Sequence, residues 1–127
     1  MQTFIGGNAI MLLRSGAEYF PAVISAIARA EHSVYIETYI FADDATGSSV
    51  ADALVVAAGR GLDVRLVVDG LGTKPYLTHV LEARLRAAGV VLVLYRDDAF
   101  PMTWRRARLR RLHRKLVVID SRRAFKN

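Results

Sequence analysis

The chain has 127 residues, 53% of them hydrophobic, which is enough apolar material for a packed core and excludes a disordered tail. It has no cysteine, so disulfides and thiolate metal sites are excluded, and no apolar run approaches the roughly 20 residues of a membrane span. With 18 Lys and Arg against 12 Asp and Glu, the net charge is +6, which points to phosphates, nucleic acid or an acidic membrane surface as partners.

Short apolar runs alternate with amphipathic helical stretches from the beginning of the chain. In the first part they predict a strand at residues 9–13, a helix from near Pro21 to residue 30, and a strand at residues 33–41. Pro21 favours a helix start, because its fixed φ and missing N–H suit a first turn. The strand at 33–41 is predicted from its β-branched and aromatic residues.

The alternation continues to the other end of the chain. It predicts a turn at 43–47, a helix that ends near Gly59 and Gly61, a strand at 63–69 and a loop at 70–75. A helix at 77–88, whose apolar stripe includes Val80, and a strand at 90–95 follow. An irregular basic stretch at 96–112 then leads to a strand at 116–119. The order β-α-β-α-β-α-β-loop-β predicts an α/β fold with a largely parallel or mixed sheet flanked by helices. Residues 1–127 are expected to form a single domain.

The segment from His113 to Asp120 carries the clearest chemical pattern. Residues two apart in a strand share a face, so His113 and Lys115 should lie side by side at the start of the last strand. A neutral imidazole can attack phosphorus while an ammonium group holds the charge on the phosphate oxygens. Asp120 lies five residues beyond Lys115 and should point to the opposite face, so its expected role is to fix the end of the strand.

The spacing H-x-K followed by four apolar residues and Asp resembles the signature motif of the phospholipase D superfamily. The resemblance extends over nearly the whole chain and is strongest to bacterial cardiolipin synthases, in segments that include Tyr19-Phe20-Pro21-Ala22, Ile36-Glu37-Thr38-Tyr39-Ile40-Phe41, Val67-Val68-Asp69-Gly70-Leu71-Gly72 and Arg110-Arg111-Leu112-His113-Arg114-Lys115. It implies a phospholipase D-like half-domain with His113, Lys115 and Asp120 as its catalytic-motif residues.

The resemblance also implies a reaction and its partners. His113 would form a phosphohistidine with a phospholipid such as phosphatidylglycerol, Lys115 would bind the phosphoryl oxygens, and an acceptor alcohol would take the phosphatidyl group to give cardiolipin. No cofactor and no metal ion are expected. A second copy of the motif would supply a further histidine. The expected location is the cytoplasmic side of a bacterial inner membrane, at its surface.

The sequence after the motif departs from the family pattern. The family carries a Gly-Gly or Gly-Ser and a phosphate-binding Asn after the motif Asp, but here Lys126 stands where the glycines should begin, and Asn127 has the wrong spacing for the Asn. The second motif is absent. We therefore expect the chain to be an N-terminal half that needs a missing catalytic half or a second chain and that is inactive alone.

Other residues have both a functional and a structural interpretation. Trp104 with Arg105, Arg111 and Arg114 could contact the lipid or an anionic membrane surface, or could form a loop packed on the domain. Glu37, inside a predicted buried strand, could support the site or form a structural ion pair. Asp69 at a strand end is more typical of a turn than of a ligand site.

Two alternatives to a phosphatidyltransferase remain open. The first is a phospholipase D-like nuclease or phosphodiesterase, in which the basic run from Arg105 to Lys115, seven Arg or Lys in eleven residues, would follow a nucleic-acid backbone. The breadth of the resemblance to the synthases makes a nucleic acid the less favoured partner. The second is a catalytically inactive remnant that only binds anionic surfaces.

Overall fold

Five strands form one mixed sheet in the computed structural model, which describes residues 16–95 and 115–126. The strands are β1 Ser33–Thr38, β2 Asp63–Asp69, β3 Val91–Tyr95, β4 Leu116–Ile119 and β5 Arg123–Lys126. Their order in the sheet is β3-β2-β1-β4-β5. The first three strands are parallel, whereas β4 is antiparallel to β1, and β5 to β4. The predicted α/β fold is confirmed, with a mixed sheet.

Helices cover one face of this sheet. They are α1 Gly16–Ala28, α2 Ala45–Gly59, α3 Gly70–Thr73 and α4 His79–Ala87. The core forms where α1, α2 and α4 pack against alternate strand residues, among them the buried Val34, Ile36, Leu66 and Leu92. The intervening residues point to the opposite face, where Val91 and Val93 remain 49% and 45% exposed.

The first helix differs from its prediction because it begins before Pro21 and not at it. Pro21 lies inside α1, where it forfeits a backbone hydrogen bond. The Tyr19 ring meets Phe20 edge-on at 5.3 Å and Phe125 of β5 at 6.2 Å, measured between ring centroids. These aromatic contacts hold the turn before the proline in helical form, so tertiary packing overrides the local preference.

The predicted apolar stripe of the last helix is wrong at Val80. That side chain is 79% exposed, whereas Leu81 and Leu85 are buried. The helix begins at His79, because the Thr78 hydroxyl accepts a hydrogen bond from the backbone N–H of Leu81 and caps it. Because Leu81 and Leu85 pack into the core, the neighbouring Val80 lies on the solvent side of α4.

Two short elements were not predicted. Asp69 caps α3 within the segment predicted as a loop, and β5 forms from a sequence with two cations and only one large apolar residue. Strand β5 pairs along the whole of β4, so the edge of the described sheet is β5 and not β4. The predicted strand at residues 9–13 and the irregular stretch at 96–112 lie outside the described residues. Within the described ranges, every helix is too short or too polar to cross a bilayer.

Candidate active site

Lys115 lies at the edge of the sheet where the parallel strand β1 ends. It immediately precedes β4, which runs antiparallel to β1 and pairs its first residue, Leu116, with Glu37. The Lys115 side chain is exposed. The antiparallel pairing therefore brings Lys115 to the carboxyl ends of β1 and β2, the edge at which α/β sheets commonly bind ligands.

An apolar groove opens beside Lys115. It has a volume of about 440 Å³ and lies between α1, the segment that follows β1, and the first turn of α2. Tyr19, Phe20, Tyr39 and Phe41 contribute aromatic rings to its walls. A cation at the mouth of an apolar groove is suited to a ligand that joins an anionic group to a hydrocarbon part.

Glu37 lies close to the beginning of the motif strand. Its side chain is partly buried, and the Tyr35 hydroxyl donates a hydrogen bond of 2.5 Å to Glu37 Oε1. Glu37 and Lys115 both line the groove. The structure thus brings together two of the residues that the sequence singled out, one in β1 and one immediately before β4.

Asp120 lies at the other end of β4 and makes different contacts. Its carboxylate accepts backbone N–H groups of Ser33 at 2.9 Å, Glu31 at 3.0 Å and His32 at 2.7 Å. These bonds, with that of Ser33 first, lower the pKa of Asp120 from 3.8 to about 2. Asp120 therefore ties the β4–β5 turn to the segment that connects α1 with β1.

The turn after β4 requires an unusual backbone. Asp120 and Ser121 have positive φ of 53° and 55°, and the Arg122 N–H donates to the Ile119 carbonyl oxygen at 2.9 Å across the turn. Residues other than glycine, asparagine and aspartate rarely adopt this conformation, so it is less favourable for Ser121 than for Asp120. The hydrogen bonds of the Asp120 carboxylate offset its cost, and the tight turn directs β5 back along β4.

Asp69 also has a structural contact. It is fully buried, and its Oδ1 accepts the backbone N–H groups of Leu71 at 3.1 Å and Gly72 at 2.8 Å. Its place as the cap of α3 agrees with the turn interpretation. Gly72 in turn lies against the Tyr39 ring, so Asp69 helps to fix one wall of the groove.

Several predicted site residues lie outside the described residues: His113, Trp104, Arg105, Arg111 and Arg114. The groove itself was not predicted, although Tyr19 and Tyr39 belong to segments that carry the family resemblance. The sequence signal that could have indicated the groove is the presence of these aromatic residues near the ends of a helix and a strand. In residues 16–95 and 115–126, no group of three or more His, Cys, Asp or Glu side chains is placed to hold a metal ion.

The fold defines the class of protein. The structure resembles the crystal structure of Nuc, a phospholipase D family member from Salmonella typhimurium, with a TM-score of 0.54 and 26% sequence identity. The superposition covers 79% of this chain and 56% of Nuc. The architecture is that of the phospholipase D family.

The sequence comparisons narrow this class. The family described as "Cardiolipin synthase, PLD-like domain" matches residues 23–126, and the chain belongs to this family. It is 41% identical to cardiolipin synthase B of Escherichia coli K12 over 119 residues, which are 94% of this chain and 29% of that protein. It is 34% identical to cardiolipin synthase 1 of Bacillus anthracis, over 94% of this chain and 24% of that protein. The chain therefore spans less than a third of the length of these relatives.

Proposed function

We propose that this chain is the N-terminal catalytic half-domain of a phosphatidyltransferase that makes cardiolipin from phosphatidylglycerol. The observation that carries the proposal is the position of Lys115 at the mouth of an apolar groove, in a chain that belongs to the cardiolipin synthase family. The cation suits the phosphodiester of the substrate, and the apolar walls suit its lipid part.

The proposed reaction proceeds through two displacements at phosphorus. An imidazole nitrogen of His113 attacks the phosphorus of phosphatidylglycerol, and the bond from phosphorus to the headgroup glycerol oxygen breaks. A histidine of the second motif protonates that oxygen, and glycerol leaves. A hydroxyl of a second phosphatidylglycerol then loses its proton to the same histidine and attacks phosphorus. The phosphorus–nitrogen bond breaks, giving cardiolipin and free His113.

Lys115 and Asp120 have separate parts in this proposal. Lys115 neutralises charge that increases on the phosphoryl oxygens as His113 attacks, so it contributes most in the transition state. Asp120 acts through the backbone, because its carboxylate already accepts the N–H groups of residues 31–33. Glu37 is a positioning residue near the beginning of β4, held by the Tyr35 hydroxyl.

The half-domain needs a second motif, either from a missing catalytic half or from a second chain, and we expect no turnover by this chain alone. We place it at the cytoplasmic surface of a bacterial inner membrane, bound peripherally to anionic phospholipid. Trp104, Arg105, Arg111 and Arg114 are the proposed contacts to that surface, where Trp sits among headgroups and Arg binds phosphate.

The nucleophile can be tested on the 127-residue chain without the second motif. Bis(p-nitrophenyl) phosphate is a diester whose leaving group, nitrophenolate, is stable as an anion. Its departure therefore needs no acid to protonate the leaving oxygen. We expect a burst of nitrophenolate that reaches no more than one equivalent per chain. The mass of the His113 peptide should increase by the nitrophenyl phosphoryl group.

The chain supplies its own control for this experiment. His113→Ala should abolish the burst, whereas His79→Ala should leave it unchanged, because His79 is an exposed residue at the start of α4. A burst that persists in His113→Ala, or a label found on another residue, would contradict the proposed nucleophile.

A superfamily nuclease or phosphodiesterase is the alternative that a specific observation favours. Seven Arg or Lys residues lie between Arg105 and Lys115, as a groove that follows a nucleic-acid backbone requires. With the second motif supplied, the two functions separate on their substrates. Cleavage of labelled DNA with no conversion of phosphatidylglycerol would favour the nuclease.

A further inference from the structure

The groove beside Lys115 is large enough for a small ligand and is mainly apolar. Its volume of about 440 Å³ falls within the range typical of small-molecule sites. Its lining includes six large apolar or aromatic residues: Tyr19, Phe20, Val23, Tyr39, Ile40 and Phe41. Such a surface gains free energy by taking hydrocarbon out of water, in proportion to the apolar area covered.

Two glycines keep the walls of the groove in place. A Cβ on Gly47 would lie 1.8 Å from the carbonyl oxygen of Ala42, so only glycine lets the first turn of α2 approach that segment. A Cβ on Gly72 would lie 2.6 Å from the Tyr39 ring. These close approaches fix the segment after β1 and the Tyr39 wall.

A buried hydrogen bond to α3 also holds the segment that follows β1. The Phe41 backbone N–H donates to Thr73 Oγ1 at 2.5 Å, and the Thr73 side chain is fully buried at the end of α3. The groove is therefore held in place by contacts on both sides, which lowers the cost of ordering its walls when a ligand binds.

The charged groups around the groove differ in their contacts. The Asp44 carboxylate accepts the Gly47 N–H at 2.8 Å, and Glu37 accepts the Tyr35 hydroxyl, so both acidic side chains have hydrogen-bond donors within the fold. Lys115 is an exposed cation beside them. At the rim, Phe20 and Ile40 are large apolar side chains with 36% and 40% of their surface exposed.

We propose that this groove holds one acyl chain of the phospholipid whose phosphate contacts Lys115. The inference rests on the proposed phosphatidyl chemistry and adds a hydrocarbon subsite to it. The acyl chain would lie along the aromatic wall made by Tyr19 and Tyr39. Phosphate and chain would then bind at adjoining surfaces, so the affinity would increase with the length of the chain.

The test measures how 1-acyl lysophosphatidylglycerols with butanoyl, hexanoyl and octanoyl chains bind to the 127-residue chain by calorimetry, below their micelle concentrations. Each added methylene should tighten binding by about two- to fourfold until the groove is filled. Lys115→Gln should lower the affinity for all three lipids by the same factor and leave the dependence of affinity on chain length unchanged. An affinity that does not change with chain length would overturn the acyl subsite.

A matched pair of variants locates the subsite. Thr46 lines the groove in the first turn of α2, and Ser49 lies on the same helix outside it; both are exposed. Thr46→Trp should fill part of the groove and remove most of the chain-length dependence, whereas Ser49→Trp should keep it. Equal dependence in both variants would place the hydrocarbon elsewhere and refute the proposal. Ile40→Asp, which puts a charge on the apolar rim, gives a second test that needs no large side chain.

The same data separate this inference from the proposed function. If Lys115→Gln weakens binding but chain length has no effect, the phosphate site remains and the acyl subsite is refuted. If chain length matters but Lys115→Gln has no effect, the groove binds hydrocarbon without the phosphate contact. That result would refute both the combined subsite and the proposed role of Lys115.

Discussion

The two ends of β4 carry residues of the same motif but differ in their surroundings. At the first end, Lys115 is exposed beside a groove. At the other, the Asp120 carboxylate is held by three backbone N–H groups from a distant part of the chain. The difference indicates that the spacing of the motif places two residues with different roles at opposite ends of one strand. Four apolar residues separate an exposed end beside the groove, which we propose binds phosphate, from an end that fixes where the strand lies.

The largest expected effect is at the Lys115 end. Lys115→Ala should slow nitrophenolate release by about 10²–10³-fold, since it removes a preorganised charge from the transition state. Its free energy of unfolding should change little, because the side chain is exposed. Stopped-flow absorbance gives the rate and urea denaturation gives the stability. Lys74→Ala, another exposed lysine, serves as the control. A large loss of stability in Lys115→Ala would show that the Lys115 end, like the Asp120 end, stabilises the fold.

Overpacking the groove wall should come next. Gly47→Ala places a Cβ against the Ala42 carbonyl and should cost about 1–3 kcal/mol in the free energy of unfolding. Gly59→Ala is the matched control at the end of the same helix, where a Cβ would meet nothing within 4 Å. It should be neutral or slightly stabilising. Equal losses in the two variants would mean that the close approach at Gly47 does not constrain the fold.

The Asp120 end should show a pH-dependent effect on stability. The pKa of Asp120 is about 2 in the folded chain against 3.8 ordinarily, so the folded state favours the ionised form. Its contribution is therefore fully present above about pH 4 and is lost as the pH falls through 2. Asp120→Asn keeps a residue type that tolerates positive φ and removes the charge.

The measurement for this prediction is urea unfolding of both proteins at several pH values. Asp120→Asn should be less stable than the wild type at neutral pH, and the gap should narrow as the solution is acidified below about pH 4. The nitrophenolate burst of folded Asp120→Asn should be affected less than that of Lys115→Ala. A gap that stays constant across this range would show that the Asp120 charge does not stabilise the turn.

The smallest effect is expected for an ion pair at neither end of β4. Arg84 and Asp52 join α4 to α2 at 2.6 Å, but their side chains are 45% and 60% exposed. A double-mutant cycle with Arg84→Ala and Asp52→Ala should give a coupling of about 0.2–1 kcal/mol that decreases with added salt. A coupling well above this range would mean that the pair is better shielded from solvent than its exposure indicates.

The sequence by itself determined the elements whose signals are local. Strands β2 and β4 have the predicted bounds, because each is a short run of mostly β-branched or aliphatic residues between polar or glycine-rich boundaries. Gly61, one of the two glycines near which the sequence predicted the end of α2, adopts the positive φ that is common after helix ends. The spacing of the motif also singled out Lys115 and Asp120, whose roles in catalysis stay predictions, and the family resemblance is confirmed by the comparisons.

Tertiary structure decided what depends on contacts between distant residues. Pro21 stays within α1 because Tyr19 packs against Phe125, more than a hundred positions away. Strand β5 forms from an unpromising sequence because the Asp120–Ser121 turn returns it to β4. The groove exists because α2 approaches Ala42 at Gly47 and Tyr39 packs on Gly72. Local preferences act within a few residues, whereas these features require parts of the chain that only the folded sheet brings together.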